Sequence, residues 1–310
     1  MFKVDAFEEH ICRRGKYGAT EPRNDRATER EKSKLACFSE PGNSVSHDGS
    51  EGAFRESIPL NTPTIVILGP TGSGKTSVSI KIAKAIDGEI ISADSRAIYK
   101  GMDIGTAKPT REERGEVPHW GLDLVEPDER FTVADWKAYT EAKIKEIKSR
   151  HHVPIIVGGT GLYIDALIYD YQFKGPTGQK IGDFEQKTCS DRTSIKGDYL
   201  IIGIKCSTPE LRTKLNKRIV QMFGPQLYSE TRKLARRFGW DSQAMKSNIY
   251  EYVWKYLQGE LNLTEAEERA FYADWHLAKR QLTWFKRNPH ITWLELEKVY
   301  PFVLKYKQNE

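Results

Sequence analysis

The sequence predicts an α/β protein built on a doubly wound parallel sheet, followed by a helical C-terminal region. Short β-branched runs alternate with helix-period segments between Thr64 and Ile204, the order that a parallel sheet requires. The first run leads through a glycine-rich loop into a helix, and past residue 205 the pattern is helical.

In chain order, residues 1–60 come first, with 10 basic against 11 acidic residues. They contain the breakers Gly42-Asn43-Ser44 and Asp48-Gly49-Ser50 and few apolar residues. Such a segment buries too little surface to offset its ordering entropy, so a disordered tail is expected there and a folded core over 61–310. Thr64–Leu68 reads as a strand, followed by a helix with Val78, Ile82 and Ala85-Ile86 at apolar spacing, closed by Asp87-Gly88. Glu89–Ala93 is a second strand and delivers Asp94-Ser95. A charged amphipathic helix over Val133–Ser149 precedes a third strand, Pro154–Val157, which Gly158-Gly159-Thr160-Gly161 closes before a helix over Leu162–Ile168. Residues 171–198 are polar and without a period, and read as a loop or the remnant of an insertion. Tyr199–Ile204 is another apolar strand. Beyond it, Thr208-Pro209 reads as the N-cap and first-turn proline of a helix running to about Phe223. A short basic helix covers Ser229–Phe238 and an aromatic one Asn248–Leu257. Thr264 with Glu267 matches a capping box that opens a long helix to about Arg287.

Composition narrows the function. Of 310 residues, 38% are hydrophobic and 29% charged, which fits a soluble globular protein. The longest apolar run, Ile65-Val66-Ile67-Leu68, is far below the roughly 20 residues of a spanning helix, and the N-terminus lacks a signal-peptide core. Cys12, Cys37, Cys189 and Cys206 show neither CxxC spacing nor histidine pairs, so a disulfide scaffold or a zinc site is not expected and a reducing cytoplasm is. No coiled-coil pattern argues against a monomer. The net charge of +5 is concentrated: residues 61–204 carry 19 basic against 20 acidic, residues 205–310 carry 19 against 12. That excess suits a polyanionic partner or a solvated basic face.

The strongest motif is Gly69-Pro70-Thr71-Gly72-Ser73-Gly74-Lys75-Thr76, a G-x-x-x-x-G-K-[ST] P-loop between a strand and a helix. Its glycines let backbone N–H groups curl around phosphate oxygens, Lys75 neutralises charge, and the Thr76 hydroxyl can ligate Mg²⁺. The expected fold is thus P-loop NTPase-like, and the ligand a di- or triphosphate. Asp94 falls at the sheet edge where ligands bind in open α/β folds, as a base or a holder of a metal water; the alternative is an Asx-turn. Thr160 lands at the same edge, in a ligand-approaching turn or merely a tight one.

GPTGSGKT, ISADSRAIYKGMDIGTAKP, VPHWGLDLVEPDE, FTVADW, PIIVGGTGLY and AKRQLTWFKR, in this order, resemble the bacterial tRNA dimethylallyltransferases. The resemblance covers about 62–171 and 199–294 and implies transfer of the prenyl group of dimethylallyl diphosphate to N6 of the adenosine 3′ of the anticodon in tRNA. It implies that Gly69–Thr76 cradles the donor diphosphate with Mg²⁺ at Thr76, and that Asp94 accepts the amine proton. It further implies that Thr160 positions the base, that Asp94, Ser95, Arg96 and Ala97 touch tRNA around it, and that Arg218 holds the diphosphate beside Lys75. In the long helix Lys279, Arg280, Thr283, Trp284 and Arg287 match the family's RNA-facing segment; basic side chains with an aromatic suit phosphates and a stacked base.

The chain departs from the pattern in several places. Only residues 171–198 stand where the family carries a large helical insertion with an arginine-rich run. Lys214 replaces an arginine, Ala97 a glutamine, Ser247–Glu251 keeps only the tyrosine, Tyr250, of its segment, and Asp274-Trp275-His276 replaces a Thr-Arg-Arg type run, removing phosphate contacts. The alternatives are prenyl transfer to free adenine nucleotides, a non-catalytic tRNA-binding relic, and a P-loop small-molecule kinase.

Overall fold

The computed structural model describes residues 62–173, 194–242, 244–246 and 248–308. The tail at 1–60, three of the cysteines (Cys12, Cys37, Cys189) and most of 171–198 lie outside them.

Six parallel strands form one sheet in the order β3-β2-β4-β1-β5-β6: β1 (Thr64–Leu68), β2 (Gly88–Ala93), β3 (His119–Trp120), β4 (Val153–Gly158), β5 (Tyr199–Lys205) and β6 (Thr292–Glu295). The chain enters at β1, in register with both β4 (Ile65 opposite Ile155) and β5 (Ile65 opposite Leu200). β1, β2 and β4 are buried along their whole length, so they read as continuous apolar runs rather than alternating ones.

Alternation instead divides the core. Ile65 and Ile67 join Ile90, Ile155 and Ile202 under α1 (Lys75–Ile86) and α9 (Leu296–Gln308). Val66 and Leu68 join Ile91 and Ile156 under α3 (Val133–Ser149) and α4 (Gly161–Ile168), where Trp136 stacks on Tyr163 with ring centroids 4.7 Å apart. The doubly wound sheet is therefore as expected. A third core, with Leu215, Ile219, Tyr250 and Phe271, is built by α5 (Thr208–Met222), α6 (Pro225–Phe238), α7 (Asn248–Leu257) and α8 (Leu263–Phe285).

Several details correct the sequence reading. The cap of α5 is Ser207, whose Oγ accepts from the Glu210 amide at 3.4 Å; Thr208 is already helical. The capping box of α8 is Asn262 with Glu265, two residues upstream of the expected pair, and both of its bonds form (3.0 and 2.9 Å). α6 starts at Pro225 rather than Ser229. The two edge strands β3 and β6, the one-turn α2 (Arg111–Arg114) and α9, which carries Pro301 inside it, were not expected. No helix among the described residues is long and apolar enough to cross a membrane.

Candidate active site

The carboxyl edge of the sheet opens into a cavity of about 590 Å³. Thr71, Gly72, Gly74, Lys75 and Thr76 of the loop between β1 and α1 form one wall. Asp94 and Ala97, after β2, and Gly158-Gly159, at the end of β4, form another, and α5 contributes Lys214 and Arg218. Segments far apart in sequence meet here because parallel strands all deliver their following loops to one edge.

The loop holds its curl through Gly72 (φ 77°) and Gly74 (φ 89°), both in the region that L side chains avoid. The Lys75 ammonium donates to the Pro70 carbonyl at 2.6 Å across that curl. Burial pushes the Lys75 pKa down to about 8; Asp94 opposes the fall and the Arg218 charge adds to it. Ser73 does not line this cavity; its side chain is buried and its hydroxyl has no hydrogen-bond partner among the described residues.

Asp94 is partly buried, and one of its oxygens, Oδ1, accepts from the Arg96 amide at 2.8 Å. This is the Asx-turn that the sequence allowed, and it coexists with a place on the cavity wall. Its other oxygen has no hydrogen-bond partner among the described residues. Thr160 does not line the cavity. Its Oγ1 accepts from the Ser95 amide at 3.0 Å and lies 3.3 Å from Ser95 Oγ, so it fixes the turn that carries Asp94.

Arg218 donates through Nη1 to Thr71 Oγ1 and through Nε to the Met222 sulfur at 3.4 Å, and its Nη2 lies 3.6 Å from the Asp274 carboxylate. Lys214, by contrast, is committed to Glu210 at 2.6 Å.

α8 presents two faces. Lys279, Arg280, Thr283 and Arg287 are exposed, as expected of an outward basic face. Trp284 is not part of it: the indole packs on Gly161 and donates to Asp165 at 2.9 Å, because α8 crosses close to the start of α4. Its indole edge is thus held by the fold, while the ring stays partly exposed under the Arg287 guanidinium, 5.6 Å from its centroid. Asp274 is a correction to the sequence reading. The sequence places it in a run that has lost phosphate contacts, but it is 3% exposed and faces Arg218.

Other residues at the site are not singled out by the sequence reading, although Gln281 and Lys108 lie within the runs that carry the resemblance. Gln281, on the inner face of α8, accepts from the Thr71 amide at 2.8 Å and lines the cavity. Lys108 lines it too, but its ammonium donates to the Tyr99 carbonyl (2.9 Å), Asp103 (2.6 Å) and Asp123 (2.6 Å). With all three donors engaged, it clasps its own loop and has none left for a ligand. Glu230 of α6 receives the amides of Asp103, Ile104 and Gly105 (3.0–3.2 Å) and the Tyr250 hydroxyl at 2.7 Å. A Cβ on Gly105 would lie 2.4 Å from the Tyr250 ring, so the retained tyrosine and this glycine fit each other. Together they pin the loop whose residues 106–109 wall the cavity.

Of the four basic side chains that line the cavity, Lys108 and Lys214 are committed to close carboxylates, leaving Lys75 and Arg218 beside the backbone curl and the spare oxygen of Asp94, an arrangement chemically suited to an anion and a proton acceptor. Among the described residues no cluster of three or more His, Cys, Asp or Glu side chains could hold a metal by itself. A divalent ion here would rest on the Thr76 hydroxyl and on ligand oxygens, a common arrangement for Mg²⁺.

The sequence profile of the IPP transferase family matches residues 97–179 and 175–288, two pieces that meet inside the segment read as a shortened insertion; the isopentenyl transferase profile matches 63–120. A tRNA dimethylallyltransferase of Staphylococcus haemolyticus is 36% identical over 293 aligned residues, covering 77% of this chain and 88% of the relative. A tRNA Δ(2)-isopentenylpyrophosphate transferase of Staphylococcus epidermidis superposes with a TM-score of 0.69 at 31% identity, covering 80% of this chain and 100% of that one. A full-length tRNA isopentenylpyrophosphate transferase of Bacillus halodurans gives the same TM-score, 0.69, at 29% identity, covering 80% and 97%.

Proposed function

The chain belongs to the IPP transferase family, and from that premise we propose that it is a tRNA-prenylating enzyme. It moves the dimethylallyl group of dimethylallyl diphosphate onto N6 of the adenosine 3′ of the anticodon. The observation that carries this reading is the gathering of Lys75, Thr76, Asp94 and Arg218 around one cavity.

The chemistry follows from their types. The P-loop amides, Lys75 and Arg218 take the diphosphate, and they stabilise the charge that grows on it as the allylic C–O bond breaks. The adenine amine attacks the allylic carbon, the new C–N bond forms, and the free oxygen of Asp94 accepts the amine proton. Mg²⁺, held by Thr76 and the diphosphate, would further neutralise the leaving group. Thr160 acts through the turn it fixes, Ser95, Arg96 and Ala97 flank the base, and Lys279, Arg280, Thr283 and Arg287 meet tRNA phosphates. A monomer in the cytoplasm suffices for all of this.

The test is a transfer assay with radiolabelled dimethylallyl diphosphate and Mg²⁺, offering unmodified tRNA, AMP and adenosine in parallel. Label enters tRNA, and Asp94→Ala abolishes it while retaining diphosphate binding. Label entering only AMP would establish the free-nucleotide reaction instead. Donor binding without any transfer would mark a tRNA-binding relic.

A further inference from the structure

A buried negative charge beside a diphosphate site opposes the ligand, so Asp274 needs a reason to be there. It is 3% exposed on the inner face of α8, and its carboxylate lies 3.6 Å from Nη2 of Arg218. The other partners of that guanidinium among the described residues, Thr71 Oγ1 and the Met222 sulfur, are neutral and offset none of its charge. Its neighbour in the cavity is Lys75, a like charge. Left to neutral partners alone, a long side chain facing a like charge turns toward solvent. The carboxylate supplies the attraction that keeps it in the cavity wall.

We propose that Asp274 is a positioning residue for Arg218, holding the guanidinium against the P-loop threonine so that it is aligned with the leaving diphosphate before the donor arrives. Gln281, two turns along the same helix, fixes the amide of that threonine. Thr71 is thus held at its nitrogen directly by α8 and at its hydroxyl through Arg218, with Asp274 behind it. The inference rests on the functional reading above, because it needs a diphosphate at Thr71.

Removing the carboxylate is expected to lower kcat without raising KM. Alignment matters most in the transition state, where charge concentrates on the departing oxygen. Ground-state attraction of the trianionic diphosphate depends on the net charge of the site, which Asp274→Asn raises by one. The variant is therefore expected to lose about tenfold in kcat for tRNA prenylation while its KM for dimethylallyl diphosphate does not rise. Inorganic diphosphate inhibits it at least as tightly as the wild type. A role confined to stability would lower the amount of folded enzyme and leave kcat per folded molecule, KM and diphosphate inhibition unchanged.

A second comparison does not depend on that split. If Asp274 acts only through Arg218, then Arg218→Ala/Asp274→Asn is as active as Arg218→Ala, and the double variant carries no buried unpaired carboxylate that could unfold it. A kcat for Asp274→Asn within twofold of wild type, or further loss when Asp274→Asn is added to Arg218→Ala, overturns the proposal and leaves the prenyl-transfer reading standing. A wild-type protein that binds diphosphate but prenylates no acceptor overturns both.

Discussion

The two ends of the sheet treat buried charge in opposite ways. At the start of β2, Glu89 is 2% exposed and accepts from Trp120 Nε1 (2.6 Å), Arg150 Nη2 (2.9 Å) and the His152 Nδ1 position (2.7 Å), while Arg150 also pairs with Glu146. Burial pushes the Glu89 carboxyl up, but these bonds outweigh it and hold it below the usual carboxylate range. At the other end of the same strand, Asp94 uses one oxygen and leaves the other, and Lys75 rests on one carbonyl with its pKa pushed down. A charge with a complete set of partners belongs to the frame; a charge with an incomplete set is where a ligand completes it.

The comparison breaks most visibly at Asp94. Asp94→Ala should lower tRNA prenylation about a thousandfold, the range of a general base, with a melting temperature close to wild type. Retained activity would make Asp94 a turn residue only. Glu89→Gln is the mirror experiment. It should cost about 2 kcal/mol of stability in denaturant unfolding and leave kcat per folded molecule unchanged. The sign with pH is fixed: a carboxyl held below its unfolded value stabilises above about pH 4.5, so wild type and Glu89→Gln should converge as pH falls below that.

A finer test is the affinity for diphosphate against pH. Burial pushes the Lys75 pKa down to about 8, and the proposed cradle requires its protonated form. Affinity should therefore fall by up to about tenfold per unit above pH 8, with proton uptake on binding. A flat profile in calorimetry would remove Lys75 from the cradle. The smallest effect is expected at the outer face of α8: Lys279→Ala with Arg287→Ala should reduce the salt dependence of tRNA binding by about two phosphates' worth and leave diphosphate affinity alone.

What could be read beforehand divides along physical lines. β1, β2 and β4, and the buried middle of β5, were legible because strands buried on both faces must be continuous apolar runs. β3 and β6 were not, since strands of two and four residues at sheet edges carry too little pattern. The helix α9 was hidden by Pro301, and the true caps Ser207 and Asn262 lost to equally plausible residues just downstream. At the site, the P-loop and Asp94 could be read because local spacing dictates their chemistry. The partners of Asp274 and Glu230, and the contact that Gln281 makes from within the AKRQLTWFKR run, could not. Each of the three residues meets its partner across more than 50 residues of chain, and a lone polar residue on a helix looks like surface until the fold turns it inward. Trp284 shows the same limit: the motif placed it on the right helix, and only packing decided its face.

The inward bonds of α8 have a geometric consequence. A helix rises about 1.5 Å per residue and hardly stretches, so the exposed cations at 279–287 stand at set distances from Gln281 and hence from the loop residue it holds. The helix is a ruler with the P-loop at its zero mark. On the proposed function, a tRNA gripped on its outer side would present to the cavity the nucleotide lying one fixed reach from the grip. Selection of a single base along a flexible loop can in this way come from length as well as from recognition of the base itself.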